Sequence, residues 1–184
     1  GHALEIHADS EQGSILGNIY IGKVQRVAKN IRAAFVEIQP GLVCYLPLDD
    51  LKNPHFTNKG ASTQIQQGDE LVVQVSRDAI KTKAPALTTR LCLTGSRGVL
   101  DLGHPGVGVS RKLADGEREK MKAQGQDLLR KISEQFAGKE NPGIVLRTNA
   151  ASSPWEEVEK ELIGLAGELE RILEVAVHRT CFSC

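Results

Sequence analysis

The chain has 184 residues, of which 40% are hydrophobic, and 23 basic and 23 acidic residues give it a formal net charge of zero. This length and apolar content suffice for one large or two small folded domains, and they exclude a disordered chain. The zero net charge excludes binding to nucleic acid or to an anionic membrane through bulk charge, so any basic site must be local.

Residues 18–93 form a series of short β-rich runs. The five runs are NIYIGKVQRV, AAFVEI, VCYLPL, ELVVQVS and PALTTRLCL. Turn signals such as Pro40-Gly41 and Gly68-Asp69 separate them. This spacing predicts a small antiparallel barrel, with a sandwich as the alternative and residues 52–67 as a polar excursion before the fourth strand.

The second half of the chain has the pattern of a mixed α/β unit. A strand-like piece, GVLDL, precedes the glycine-rich HPGVGVSRKL, and apolar residues at helical spacing predict a helix over about residues 115–136. The strand GIVLR follows, and then a long helix with a leucine-rich face. The two halves together predict an α+β protein.

Two aromatic residues are predicted on the outer face of the barrel. Strict alternation in AAFVEI and VCYLPL directs alternate residues to the core and leaves Phe35 and Tyr45 outside. Outward aromatics on neighbouring strands form a stacking platform for unpaired bases, at roughly 1–3 kcal/mol per base. The alternative is that both rings are covered, by the second unit or by the polar excursion.

Local clusters of cations occur in both halves. Arg77, Lys81 and Lys83 lie in the turn-like segment SRDAIKTKAP, where they would follow a phosphate backbone or, alternatively, belong to a solvated loop. Arg111 and Lys112 follow a run of glycines and resemble a backbone-rich cradle with cations at its lip. The glycine run matches neither the dinucleotide nor the nucleoside-triphosphate fingerprint.

The strand GIVLR ends in Arg147, and Thr148 follows it directly. A strand that only fills a core needs no guanidinium at its exit. Arg147 can offer a bidentate fork and Thr148 a hydroxyl donor, so the pair predicts a grip on an anionic group.

The sequence offers few candidate groups of catalytic or metal-binding residues. The five histidines are scattered, and no serine, cysteine or carboxylate pair stands in a recognisable nucleophile or metal setting. His178, Cys181 and Cys184 have ligand-like spacing, but this half-site cannot close a tetrahedral zinc shell. We therefore predict no catalytic residue and no metal site in this chain.

Cysteine usage and hydropathy predict a cytoplasmic location. The four cysteines lack the dense spacing of a secreted disulfide scaffold. No apolar run approaches the length of a transmembrane helix, and the N-terminus lacks the layout of a signal peptide. We also expect the chain, which ends at Cys184, to be part of a longer protein.

The succession of GNIYIGKV, AAFVEI, YLPL, ALTT, GVSRKL and GIVLRT, followed by a long helix, resembles the N-terminal half of the bacterial ribonuclease E/G family. The match runs from about Leu4 to Cys184, and the combination of ALTT, SRKL and VLRT at these separations is specific. The segment NPHFTNKGASTQIQQ departs from the family's equivalent loop.

The resemblance implies a division of the chain into four segments. Residues 18–89 would be an RNA-binding OB barrel of the ribosomal-protein-S-one type, and residues 90–174 a 5′-sensor subdomain. Residues 3–17 and 175–184 would be the two ends of a split ribonuclease-H-like subdomain. The family's catalytic domain, with its metal-binding aspartates, would follow.

The resemblance also implies roles for individual residues. Stacking on RNA falls on Phe35 and on Tyr45, where a Phe is common in the family. Contact with the RNA backbone falls on Arg77 and Lys83. The 5′-phosphate pocket falls on Gly95, Val99, Arg147 and Thr148, with Arg111 and Lys112 nearby.

The implied function is RNA binding and 5′-monophosphate sensing within a single-strand-specific endoribonuclease of RNA decay or processing. The full-length protein would use Mg²⁺, with Zn²⁺ as a further candidate, and would form a homo-oligomer, whereas this chain would be inactive by itself. The alternative is a non-catalytic RNA-binding module of a translation or RNA-chaperone protein.

Overall fold

The computed structural model describes residues 13–137 and 139–179. These residues form two compact units, one of residues 13–91 with 173–179 and the other of Cys92–Ile172. The predicted flanking segments, residues 3–17 and 175–184, lie partly outside the described residues, and Cys181 and Cys184 lie outside them entirely.

The first unit is a closed barrel of five strands in the order β1–β2–β3–β5–β4. The strands are β1 (Ile19–Ala28), β2 (Ala33–Gln39), β3 (Leu42–Pro47), β4 (Glu70–Arg77) and β5 (Ala86–Thr88). The predicted OB-type barrel is confirmed, with one correction. It is mixed rather than antiparallel throughout, since β3 and β5 run parallel. A closed ring with an odd number of strands cannot alternate direction everywhere, so one parallel pair is unavoidable.

Alternation along the strands separates core from surface as predicted. In β2, Ala34, Val36 and Ile38 are at most 2% exposed, whereas Phe35 is half-buried. In β3, the neighbours of Tyr45 on both sides are fully buried and Tyr45 itself is half-buried. The rest of the core cluster includes Tyr20, Val24, Leu71, Val73, Val75 and Leu87.

The fifth strand is shorter than the run PALTTRLCL suggested. Thr89 is buried, and its hydroxyl donates to the Asp50 carbonyl at 2.6 Å and accepts from the Lys52 amide at 3.2 Å. These bonds replace strand pairing immediately after β5. The end of the run, Cys92–Thr94, instead starts the sheet of the second unit.

The second unit consists of a four-stranded sheet and helices. The sheet has the order β6–β7–β9–β8, with β8 and β9 parallel and the other neighbours antiparallel. The elements are β6 (Cys92–Thr94), β7 (Gly98–Asp101), β8 (Gly106–Val109), α1 (Asp115–Gln135), β9 (Gly143–Leu146), α2 (Thr148–Ala151) and α3 (Trp155–Val177), of which residues 173–177 belong to the first unit. Among the described helices, none combines the length and apolar character needed to cross a membrane.

One face of this sheet packs closely against the helices. A Cβ at Gly98 would lie 2.9 Å from the Leu162 side chain of α3, and a Cβ at Gly125 of α1 would lie 2.7 Å from Val107. The other face carries Val99 and its register partner on β9, a valine that is 42% exposed. The strand ends of this open face therefore remain accessible.

Strand β8 falls in the glycine-rich segment that the sequence presented as a cradle. Glycine is depleted in strands, so the sequence carried no strand signal there. In the structure Gly108 pairs with Val145 of β9, and a Cβ at Gly108 would lie 3.3 Å from the Val145 side chain. Arg111 and Lys112 thus follow the end of a parallel strand.

Candidate nucleic-acid interface

A row of paired residues crosses all five strands of the barrel. Arg26 of β1 pairs with Phe35 of β2, Phe35 with Tyr45 of β3, Tyr45 with Ala86 of β5, and Ala86 with Arg77 of β4. We call these five residues the cross-barrel row. It places the two predicted aromatics at adjacent positions with a cation at each end.

The two rings and the first cation are in contact. The centroids of Phe35 and Tyr45 are 6.2 Å apart with the rings nearly perpendicular, and the Arg26 guanidinium carbon lies 4.7 Å from the Phe35 centroid. Edge-to-face pairing and a cation over a ring face are both favourable geometries. The row is therefore a pre-arranged surface that offers aromatic rings for stacking with a planar base and an arginine for pairing with a phosphate.

Arg26 was missed in the sequence because of a bulge in β1. Strict alternation from Val24, which is 1% exposed, directs Arg26 to the core. The pairing of β1 with β2 shifts between Val24 and Arg26, so Arg26 is exposed while Val27 packs against the core. A bulge changes the phase of a strand, and periodicity cannot detect it.

The other predicted barrel cation lies at the tip of the β4–β5 connection. Lys83 and Ile80 exchange backbone hydrogen bonds of 2.9 and 3.2 Å, which close a tight turn with Lys81 at a φ of +54°. Lys81 and Lys83 are both exposed. They therefore form an exposed, positively charged turn beyond the Arg77 end of the cross-barrel row.

In the second unit, Arg147 is anchored to the turn between β6 and β7. Its Nη1 donates to the Gly95 carbonyl at 2.8 Å, and its amide donates to the Arg97 carbonyl at 2.8 Å. The Asn149 side chain donates to the Ser96 carbonyl at 3.2 Å. Among the described residues, no acceptor takes the remaining guanidinium hydrogens of Arg147, which is exposed and can use them for an anion.

Glu161 of α3 holds that turn in place. Its carboxylate accepts from the Arg97 and Gly98 amides at 2.7 and 3.2 Å, from the Ser96 hydroxyl at 2.9 Å and from the Arg97 guanidinium at 3.1 Å. Burial alone raises the pKa of Glu161, but these hydrogen bonds outweigh it and lower the pKa below its ordinary value. The charged carboxylate fixes the turn that presents the Gly95 carbonyl to Arg147.

The geometry explains why residue 95 is glycine. A Cβ at Gly95 would lie 2.2 Å from Glu161 Oε1. Any side chain there would displace the carboxylate on which the turn depends. Gly95 and Arg147 are in contact through Arg147 Nη1 and the Gly95 carbonyl.

Ser110, which the sequence did not indicate, connects Thr148 with the backbone of Lys112. The Ser110 and Thr148 hydroxyl oxygens are 2.9 Å apart, and the Lys112 amide donates to the Ser110 hydroxyl at 3.3 Å. Val99 lies on the open face of the sheet, one residue beyond Gly98 in β7. The second unit thus brings the predicted phosphate residues to one end of its sheet.

Neither described cysteine has the character of a nucleophile. Burial raises the pKa of Cys44 to about 11, and burial together with the charge of Asp101 raises the pKa of Cys92. Across residues 13–137 and 139–179, no group of three or more His, Cys, Asp or Glu residues is arranged to hold a metal ion.

Comparison with known proteins finds relatives that are named as ribonucleases G or E. No protein-family model matches the chain. Among curated proteins, Ribonuclease G of Salmonella typhimurium is 33% identical and Ribonuclease G of Escherichia coli K12 is 32% identical, each over 95% of this chain. Ribonuclease E of Buchnera aphidicola is 34% identical over 63% of this chain and 14% of its own length. The chain spans 36% of the length of the two Ribonuclease G relatives.

Proposed function

Since this chain belongs to the ribonuclease E/G family, as its sequence motifs predicted, we propose that it is the RNA-binding and 5′-end-sensing portion of an endoribonuclease. The whole protein would cleave single-stranded RNA during decay or processing in the cytoplasm, as a homo-oligomer. The barrel would hold the strand and the second unit would select its 5′ end. The two tasks rest on separate groups of residues.

The barrel's task is sequence-independent binding of single-stranded RNA. Two neighbouring bases stack on Phe35 and Tyr45, which contributes about 1–3 kcal/mol per base and tolerates any base because each has a π face. Arg26 and Arg77, at the two ends of the cross-barrel row, contact phosphates on either side of the stacked bases. Lys83 extends this positive path.

The observation that carries the sensing proposal is the anchored guanidinium of Arg147. One of its edges is held by the Gly95 carbonyl, so the side chain is already ordered before any ligand arrives. Its free hydrogens and the adjacent Thr148 hydroxyl would bind a terminal phosphate through charge-assisted hydrogen bonds. A 5′-hydroxyl end lacks the charge and the acceptor oxygens, so it would bind less tightly.

Hydrolysis is assigned to the parts of the whole protein that lie outside this chain. Mg²⁺ would supply an activated water for such a reaction, with Zn²⁺ as a further candidate metal. The described residues do not fit either metal, since they contain no suitable group of ligands. We therefore propose that this chain selects RNA and does not cut it.

The proposal is tested by fluorescence anisotropy with a short single-stranded RNA carrying either a 5′-monophosphate or a 5′-hydroxyl, at fixed salt. The expected result is tighter binding of the phosphorylated RNA. Arg147→Ala should reduce this preference by roughly tenfold or more, because a hydrogen bond to a charged group is worth about 1.5–3 kcal/mol.

Arg130→Ala is the matched control, since Arg130 is an exposed arginine of the same unit that pairs with Asp127 of its own helix. It should leave the preference unchanged. Equal binding of both RNAs by the unaltered chain would defeat the sensing proposal and leave the barrel as an RNA-binding module.

A further inference from the structure

A chain of hydrogen bonds connects the Arg111-Lys112 turn to the predicted phosphate site. The Lys112 amide donates to the Ser110 hydroxyl at 3.3 Å, and the Ser110 hydroxyl oxygen lies 2.9 Å from that of Thr148. The Ser110 amide also donates to the Leu146 carbonyl at 2.9 Å, which continues the parallel pairing of β8 with β9. Ser110 is therefore fixed at the ends of two adjacent strands, directly beside Thr148.

The direction of the bond between the two hydroxyls follows from the nature of an anion. A hydroxyl has one hydrogen to donate, whereas a phosphate oxygen without a proton can only accept. When Thr148 binds a phosphate, its hydrogen is directed at the anion. The 2.9 Å contact can then be kept only if Ser110 donates to Thr148. Ser110 has one hydroxyl hydrogen for this bond, and its oxygen can accept from the Lys112 amide at the same time.

We propose that Ser110 is a positioning residue of the phosphate site, which holds the Thr148 hydroxyl as a donor toward the terminal phosphate. This inference rests on the proposed 5′-end-sensing function. Ser110 itself does not touch the phosphate and acts through Thr148. Without it, the Thr148 hydroxyl is free to rotate, and its oxygen loses the polarisation that a linked chain of donors provides.

A purely structural role for Ser110 makes a different prediction. If Ser110 only ties the end of β8 to β9, its removal loosens the fold of the second unit and leaves the hydroxyl of Thr148 as good a donor as before. The preference for the phosphorylated end and the melting temperature separate the two roles. If Ser110 is a positioning residue, its substitution lowers the preference without changing the melting temperature. In that case substitutions of Ser110 and Thr148 remove the same interaction.

The test compares four variants of the 184-residue chain with the unaltered chain. The variants are Ser110→Ala, Thr148→Val, the double variant and Ser110→Thr, which restores the hydroxyl. Each is titrated with the same RNA bearing a 5′-monophosphate or a 5′-hydroxyl, and its melting temperature is measured. Ser133→Ala is the matched control, since the Ser133 hydroxyl donates to the Leu129 carbonyl of its own helix.

Ser110→Ala should lower the preference for the phosphorylated RNA by about two- to tenfold, the range of one neutral hydrogen bond, with binding of the 5′-hydroxyl RNA unchanged. The double variant should bind no worse than Thr148→Val alone, because the two residues act as one unit. Ser110→Thr should recover most of the preference. Ser133→Ala should behave like the unaltered chain.

Four outcomes would overturn the inference. If Ser110→Ala keeps the full preference for the phosphorylated RNA, Ser110 has no role in the phosphate site, and the proposed sensing function is unaffected. Additive losses in the double variant indicate that the two residues act independently. A lowered melting temperature together with equally weaker binding of both RNAs indicates a structural role for Ser110. If the unaltered chain shows no preference, the proposed sensing function fails, and the role of Ser110 fails with it.

Discussion

The barrel and the second unit present their candidate binding residues in opposite ways. In the barrel, each residue of the cross-barrel row is placed by the register of its own strand, and the Phe35 ring contacts the side chains of Arg26 and Tyr45. In the second unit, Arg147 depends on the β6–β7 turn, and that turn depends on Glu161. Where residues are positioned independently, one substitution removes only the contribution of that residue. In an interlocked site, where each residue depends on another for its position, one substitution disrupts the whole site. The following predictions test that difference, from the largest expected effect to the smallest.

Glu161→Ala should produce the largest effect. Removing the carboxylate leaves the Arg97 and Gly98 amides without their acceptor, whereas the Arg97 guanidinium keeps its bonds to Glu157 and Ser153. We therefore expect a loss of about 2–3 kcal/mol in the free energy of unfolding. The preference for a 5′-monophosphate should vanish as well, although Glu161 does not face the ligand. Chemical denaturation and RNA anisotropy measure the two effects. A stable variant with normal preference would show that the site is not interlocked.

Phe35→Ala should weaken binding of the 5′-monophosphate and 5′-hydroxyl RNAs to the same extent. The loss of one stacking surface should weaken binding of both RNAs by about 1–3 kcal/mol, roughly fivefold to a hundredfold, and leave their ratio unchanged. Ile31→Ala, which removes a half-exposed apolar side chain elsewhere on the barrel, should have little effect. A change in the ratio of the two affinities would contradict the separation of tasks between the two units.

Arg26→Ala should cause a smaller and purely electrostatic loss. Removing one phosphate contact should lower the slope of log affinity against log salt by about 0.7, the value for a single strand, with a few-fold weaker binding. Arg32→Ala is the control, since Arg32 is also exposed but pairs with Asp49. An unchanged slope in Arg26→Ala would remove Arg26 from the RNA path.

The pH dependence of stability should show the smallest effect. Because the folded-state pKa of Glu161 is lowered, its contribution is fully present above the ordinary carboxyl pKa of 4.5 and is lost as the pH falls through the lowered value. Stability of the second unit should therefore decline in acid, and Glu161→Gln should decline less steeply. Parallel declines in thermal melts of the two proteins between neutral pH and pH 3 would contradict this assignment.

The sequence predicted those features that depend on local periodicity. The outward position of Phe35 and Tyr45 follows from period-two alternation, and it held because their flanking residues are apolar enough to form the core. The barrel's strands and the long helices were predicted for the same reason. The parallel pairing of β3 with β5 was also within reach, because an odd number of strands in a closed ring requires it.

Features that depend on contacts distant in sequence were not predicted. Ser110 meets Thr148 across 38 residues, and only because β8 pairs with β9. Strand β8 itself gave no signal, since two of its four residues are glycine. Glu161 resembled any other acid on a helix surface until the β6–β7 turn was found against it. The sequence therefore indicated candidate binding residues, but not the residues that hold them in place.

The parallel pair of the barrel has a dynamic consequence. Tyr45 and Ala86 are the only register pair between β3 and β5 in the described barrel, supported by a bond of 2.9 Å from the Tyr45 amide to the Pro85 carbonyl. A seam closed by so few bonds should open more often than its neighbours, and the Tyr45 amide should exchange its hydrogen early. Because Tyr45 also lies in the cross-barrel row, a bound RNA strand would bridge the seam and slow that exchange. Occupancy of the barrel by RNA should therefore be visible as protection of a single backbone amide.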